Sequence, residues 1–349
     1  MSEAVYIDGS YGEGGGQVLR TSLSLAAITG RPLELVNIRA GRSQPGLKAQ
    51  HLTAVRAAAA LCNAALSHAE VGSRELTFTP GTQVHPDDYH VDIGTAGAAT
   101  LVCQTGLAPL AHSGEEASLH VTGGTHVPHA PVLEYLEAVY LPVLGRLGVE
   151  AEVGCERAGF FPRGGGKVAL RVASGARFLP LDVSDRGRLL RLRAFVVTSG
   201  LPDHVAERGE AAVVKWLKGV GRQAEVEVRL KDSLNQGASV TLVAECEGGR
   251  AGFSSIGERG KPMEKVAVEP CEAFMAWWKS GAAVDEHLAD QLALPLALAA
   301  GESRWTTPAV TEHLRTVLWV IKQFLPIEYE LQEEPGGQGL VTLRGAGSA

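Results

Sequence analysis

No apolar run in the 349 residues is long enough to cross a membrane. The longest, such as Leu292–Ala300, reach about half of the roughly 20 residues that a membrane helix needs. The start, Met1-Ser2-Glu3-Ala4-Val5-Tyr6, has neither a basic segment nor an apolar stretch, so no signal peptide is expected. Cysteine is sparse. Cys62, Cys103, Cys155, Cys246 and Cys271 are too widely spaced for a zinc or redox pair, and an odd count argues against a secreted disulfide framework. A reducing cytoplasm is the expected compartment. Two nucleotide motifs are also missing. No K-x-D-G occurs, which excludes a covalent nucleotidyl-lysine, and the turn from Gly12 to Gln17 is not followed by the Lys-Ser or Lys-Thr of a P-loop. A net charge of −7 excludes a protein that coats nucleic acid indiscriminately.

What is present is an ordinary globular composition, 45% apolar and 20% charged. Its length exceeds one comfortable core, so two domains are expected. The charge is unevenly placed. Between Gly16 and Ala69 stand Arg20, Arg31, Arg39, Arg42, Lys48 and Arg56, against the single acid Glu34. Such a cluster suits a few phosphates better than a long polynucleotide track.

The opening segment reads strand, glycine turn, helix, strand, helix. After Tyr6-Ile7 come Gly12 to Gly16, and then Val18, Leu19, Ser22, Leu23, Ala26 and Ala27 recur with the period of a buried helical face that Gly30 would end. Leu33–Arg39 reads as a strand and Leu47–Leu66 as a helix. Glycines cluster again at Gly123-Gly124 and at Gly164 to Gly166, which suggests a repeat of αβ units near 80 residues long. Near Pro180 the texture changes. A strand over 187–197, a helix over 206–220, strands over 224–231 and 239–246 and a helix over 263–279 make a compact α+β module. The alanine- and leucine-rich style then returns at Val284. The fold class expected is α/β (α+β), with a discontinuous large domain (1–181 and 281–349) interrupted by a small one (182–280).

Chemistry is expected first at Gly12-Glu13-Gly14-Gly15-Gly16-Gln17. A glycine turn entering a helix presents free backbone N–H groups to an anion, although the same turn also serves as a plain corner. Arg20 in the following turn, Arg39 and Arg42 after the next strand, and Gln50 beyond them form a phosphate clamp. Glu13 would either hold a magnesium ion beside a nucleotide or be a surface carboxylate. His126 and His129 lack a third ligand. His51-Leu52-Thr53 and His120-Val121-Thr122 match the H-x-T of two-histidine RNA phosphoesterases, but His51 falls in a helix pattern where those enzymes use a strand. His313 follows Trp305-Thr306-Thr307-Pro308 and opens an amphipathic helix marked by Leu314, Val317, Leu318, Ile321 and Phe324. There the helix dipole disfavours an imidazolium and keeps the ring neutral and nucleophilic, although position alone also fits an ordinary helix-start histidine.

The run from Asp8 to Gln17, Arg39-Ala40-Gly41-Arg42, Pro45 to His51, and Gly159-Phe160-Phe161-Pro162-Arg163-Gly164-Gly165-Gly166-Lys167-Val168 resembles the RNA 3′-terminal phosphate cyclases. Leu288-Ala289-Asp290-Gln291 and His313 complete the match, which covers nearly the whole chain. The resemblance implies three repeated αβ units with a smaller inserted αβ domain. It implies ATP and a divalent metal, Mg2+ by expectation, acting on an RNA 3′-phosphate end. His313 would be the adenylated nucleophile. Glu13, Gln104, Asp290 and Gln291 would contact ATP or its metal, together with His287, Leu288 and Ala289. Phe253, in the last loop of the inserted domain, would stack on adenine. Arg20, Arg39, Arg42 and Gln50 would hold RNA phosphate. The chain departs from the family pattern at Ala158, at His126 and at His287. No membrane partner is expected, and a homodimer stays open. Rivals are a cyclase-like ribosome-assembly factor without chemistry, which would lack the nucleophilic histidine, a two-histidine RNA phosphoesterase, and an enolpyruvyl transferase.

Overall fold

The computed structural model describes residues 3–81, 83–335 and 337–347. In the first unit β1 (Val5–Asp8) leads into α1 (Gly16–Thr29), β2 (Leu33–Val36), α2 (Ala49–Cys62), β3 (Ala65–Ser67) and β4 (Leu76–Thr79). The second runs β5 (Asp88–Asp92), α3 (Ala99–Ser113), β6 (Ala117–Gly123), a helical stretch of α4 (Leu133–Tyr135), a π-helical turn (Leu136–Tyr140) and α5 (Leu141–Arg146), then β7 (Ala151–Arg157) and β8 (Gly166–Val172). The third opens with β9 (Asp182–Val183). A module follows of β10 (Leu189–Ser199), α6 (Asp203–Gly219), β11 (Glu225–Leu230), β12 (Gly237–Cys246), β13 (Arg250–Ile256) and α7 (Met263–Ser280). The third unit then resumes with α8 (Glu286–Gln291), α9 (Ala293–Ala297), β14 (Ala300–Thr307), α10 (Glu312–Phe324), β15 (Glu328–Glu333) and β16 (Gly339–Ala346).

The repeat expected from the glycine clusters is carried by topology. The three units form sheets ordered β1-β2-β4-β3, β5-β6-β8-β7 and β9-β14-β16-β15. In each, the first two strands pair parallel and the remaining neighbours antiparallel. A parallel pair needs a helical crossover, and in the third unit the extra module sits inside that crossover. Its own sheet is ordered differently, β11-β10-β12-β13. The fold is mixed α+β.

Packing follows the period of each element. The apolar positions read in α1 are all buried, and α1 packs against α2, α3 and α10. Leu314, Val317, Leu318, Ile321 and Phe324 of α10 are buried as a stripe. Strand β10 is two-sided: Phe195 and Val197 join the core of the three units, while Leu192, Ala194 and Val196 face a second core with Phe274 and Trp277 of α7. Two elements of the first unit differ in their bounds from the sequence reading. The strand from Leu33 stops at Val36 because Asn37 and Arg39 take φ of 53° and 56°, which no strand accepts. The helix read as 47–66 ends at Cys62, where Asn63 adopts a left-handed cap and frees residues 65–67 to form β3. Gly30 closes α1 at φ 64°, as its position predicts. No helix of the described residues is long and apolar enough to cross a membrane.

Candidate active site

The site forms where the glycine turn between β1 and α1 meets the start of α10. Tyr11 stacks on Trp319 at 4.0 Å and 14°, clamping turn to helix. Gly12, at φ 61°, leaves no room for a Cβ, which would lie 2.0 Å from the Thr316 hydroxyl. A Cβ on Gly41 would strike the Glu13 carbonyl at 2.6 Å, so the turn also packs directly against the loop after β2. These close approaches need glycine. They bring residues nearly 300 positions apart within reach of one another.

Thr311 caps α10, its hydroxyl accepting from the Leu314 N–H at 3.1 Å, which sets His313 in the first turn. The His313 Nδ1 hydrogen-bonds Gln17 Oε1, and Nε2 lies 2.9 Å from Glu13 Oε2. Burial pushes the His313 imidazole below its usual pKa. Glu13 opposes this, while Arg20, His287 and Arg42 add to it. Neutrality at this position therefore comes chiefly from burial and a cationic surround. Arg42 pairs with the same Glu13 oxygen at 3.1 Å. Arg20 forms no hydrogen bond or ion pair among the described residues; burial lowers its pKa to about 10 against the pull of Asp290.

The acids around α8 differ sharply. Asp285 is fully engaged, accepting from Tyr135 Oη, the Gly252 N–H and the N–H groups of His287 and Leu288. Asp290 is buried beside it, and its pKa rises to about 8, first through burial and then through Asp285, against Arg20 and a hydrogen bond from Gln17. Gln291 Oε1 accepts from Gln104 Nε2 at 3.1 Å. Glu13 and Asp290 are the acids at this cleft, and both suit a hard divalent cation, Asp290 on losing the proton that a pKa of about 8 keeps on it at neutral pH.

The structure therefore brings His313, Glu13, Arg20, Arg42, Asp290, Gln291 and Gln104 together, with exposed His287 at the rim. Five expected residues stand differently. Leu288 and Ala289 are wholly buried in the main core, on the side of α8 opposite the cleft. Phe253 lies in strand β13 rather than in a loop, and it packs on Phe274 and Trp277 at 6.3 and 5.9 Å. Alternation explains this, because its neighbour Gly252 faces Tyr135 and Asp285. Arg39 is buried, its Nη1 donating to the carbonyls of Gln44 and Gly46 at 2.7 and 2.8 Å, so it shapes the loop that carries Arg42. Gln50 accepts from the Ala98 N–H at 3.0 Å at the mouth of α3.

Gln17 is the residue that sequence reasoning missed as a site member. It looks like any polar residue of a first helical turn, and only its contact with His313 reveals it. The family departures are also placed. Arg157 Nε donates to the Gly165 carbonyl at 2.9 Å, bracing the third glycine cluster beside Ala158. His126 is buried against Glu134 at 2.7 Å. His51 is buried in α2, and burial with Arg20, Arg39 and Lys48 pushes its pKa down to about 3. It accepts from the Lys48 N–H instead of facing His120 across a cleft, which removes the two-histidine arrangement.

The family model described as RNA 3′-terminal phosphate cyclase matches residues 11–331. Proteins named RNA 3′-terminal phosphate cyclase from Methylococcus capsulatus and Pyrobaculum neutrophilum are 44% and 43% identical over 97% and 99% of the chain, and over 96% and 99% of their own lengths. Another of that name, from Nostoc punctiforme, is 44% identical over 92% of the chain and 94% of its own length. The enolpyruvyl transferase NikO from Streptomyces tendae superposes with a TM-score of 0.38 at 12% identity, over the whole chain and 50% of NikO, too distant to carry an argument.

Proposed function

The chain belongs to the RNA 3′-terminal phosphate cyclase family, and from that premise we propose that it converts an RNA 3′-phosphate to a 2′,3′-cyclic phosphate at the expense of ATP. The observation that carries this reading is the His313 imidazole, held between Gln17 and Glu13 at the start of a helix and facing two arginines. Gln17 Oε1 is an acceptor, so Nδ1 keeps its proton and Nε2 is the nucleophilic nitrogen. With its pKa lowered the ring is neutral, so Nε2 carries the lone pair and faces the Glu13 carboxylate, which Arg42 holds by the same oxygen. When Glu13 moves off Nε2 as the triphosphate enters, that lone pair is free to attack the α-phosphorus of ATP.

The Nε2–P bond forms as the bond to the β-phosphate breaks, releasing pyrophosphate and leaving histidine–AMP. An oxygen of the RNA 3′-phosphate then attacks that phosphorus and the N–P bond breaks, giving an RNA–adenylate. Finally the 2′-hydroxyl loses its proton and attacks the terminal phosphorus, expelling AMP and closing the cyclic phosphate. Arg20 and Arg42 hold the phosphates through these steps by charge-assisted hydrogen bonds. Glu13 and Asp290 would hold Mg2+, which when bound supplies neutralising charge to the triphosphate. Gln104 and Gln291 form the amide wall beside them. The second hydrophobic core supports reading 182–280 as an inserted domain, with 1–181 and 281–349 as the large one. Five free cysteines, four of them buried, accord with a reducing cytoplasm.

Incubation with α-labelled ATP and Mg2+ tests the proposal. The expected product is a protein-bound label, acid-labile and alkali-stable as a phosphoramidate requires, and absent from His313→Ala. Label on another residue, or cyclisation by His313→Ala, would overturn it. An assembly factor without chemistry would take up no label.

A further inference from the structure

The sheet β5-β6-β8-β7 buries one face and leaves the other open. On the open face β5 and β6 run parallel and in register, so that Asp88 stands opposite Ser118 and His90 opposite His120. Along the row of the two histidines the next residues are Ala169 and Gly154, so no bulky neighbour on that row covers the imidazoles. The two rings stack at 4.4 Å and 14°. Both aim Nε2 at one carboxylate: Asp88 Oδ1 is 2.8 Å from His120 and Oδ2 is 3.3 Å from His90. The Ser118 hydroxyl donates to Asp88 and orients it. The cations on this face are committed elsewhere, Arg171 to Glu152 at 3.2 Å and Lys167 to Glu156 at 2.9 Å.

We propose that Asp88, His90 and His120 form a binding site for a transition-metal dication of the zinc class, separate from the nucleotide cleft. One ligand atom from each of the three residues lies within 4.8 Å of the others. Ligands at about 2.0–2.2 Å in tetrahedral array sit roughly 3.3 Å from one another. The His90–Asp88 separation of 3.3 Å matches that, the His120–Asp88 separation of 2.8 Å is shorter, and the 4.8 Å bound on all three leaves only side-chain rotations to complete the array. Two imidazoles and one carboxylate select zinc, cobalt, nickel or copper over magnesium, which takes oxygen ligands. Three protein ligands leave one position open to water or an outside donor. Ser118 supplies the outer hydrogen bond that fixes the carboxylate. A bound ion would also staple the edge strand β5 to β6, where only one neighbour now holds it.

Full-length protein stripped with chelator is titrated with Co2+, followed by Zn2+. One equivalent of Co2+ is expected to give the intense visible absorption of a four-coordinate ion, and Zn2+ should abolish it. His90→Ala and His120→Ala should each weaken Co2+ binding by roughly ten-fold or more, and Ser118→Ala by less. Self-adenylation with Mg2+ should be unchanged in all three, so this site and the cyclase reading stand or fall separately. Equal Co2+ binding by wild type and the histidine variants, or only the faint spectrum of a six-coordinate ion, would overturn the assignment.

Discussion

His126 and Glu134 offer the sharpest test of how the second unit is held together. Both side chains are wholly buried, with Nε2 and Oε2 2.7 Å apart. Nδ1 meets the Thr125 hydroxyl at 2.7 Å, and the ring stacks on Phe160 at 4.6 Å. Burial alone would raise the Glu134 pKa, yet the charge and hydrogen bond of His126, with help from Arg229, hold it below its usual value. Its second oxygen has no hydrogen bond, and Arg229 stands 3.7 Å away. Replacing His126 with leucine would therefore strand a buried carboxylate, at a cost of about 3–5 kcal/mol. Loss of the aromatic contact adds roughly 0.5–1.5 kcal/mol. Against a total stability of about 5–15 kcal/mol this is a large fraction. The double variant His126→Leu/Glu134→Leu removes both partners of the buried pair and should recover most of the loss. Urea midpoints for wild type, both single variants and the double complete a thermodynamic cycle. Single costs under about 1 kcal/mol, or a double variant as unstable as the sum of the singles, would refute the coupling.

Gln17→Ala should slow self-adenylation by roughly ten- to a hundred-fold, the scale of a lost orienting contact, while leaving ATP affinity nearly unchanged; an affinity loss of the same size would make Gln17 a binding residue instead. Arg42→Ala is expected to weaken the step that consumes the 3′-phosphate by about 1.5–3 kcal/mol and to affect self-adenylation less, as single-turnover assays of the two steps would reveal. His51, with a folded pKa of about 3, resists a proton that the unfolded chain accepts near 6.5. Stability should then fall as pH drops from about 6.5 towards 3, at up to roughly 1.4 kcal/mol per pH unit, and His51→Phe should flatten that limb in denaturant melts at stepped pH. RNA binding should show a shallow salt dependence, with a log–log slope of about −1 to −3, because few phosphates are contacted, and a 2′-deoxy end should stall as the adenylated strand; a steeper slope across a salt series would reveal a longer track.

Local order was legible wherever one period ran long enough. The buried faces of α1 and α10 could be read residue by residue, as could the glycine turn that precedes α1. Backbone sign reversals could not. Leu33–Arg39 alternates like one strand, and nothing in that alternation announces left-handed residues at Asn37 and Arg39. Motifs misled in a related way. The run from Leu288 to Gln291 marks a stretch of chain, but a helix turns about 100° per residue, so His287 and Gln291 share one face while Leu288 and Ala289 point into the core. Gln17 stayed hidden because its meaning lies in a partner 296 residues away. The same long-range logic explains why the inserted module and the cleft are coupled. The side chain of Asp285 caps α8, and its oxygens accept from Gly252 of β13 and from Tyr135 of the second unit. Trp277 of α7 adds a hydrogen bond to the Val284 carbonyl one residue earlier. The position of α8, and with it of Asp290 and Gln291, is thus set jointly by the second unit, the third unit and the insertion. A change confined to β13, such as Gly252→Ala, would press a Cβ within 2.4 Å of Val139 and move that cap. The cleft would then loosen through α8 although no residue lining it had been altered.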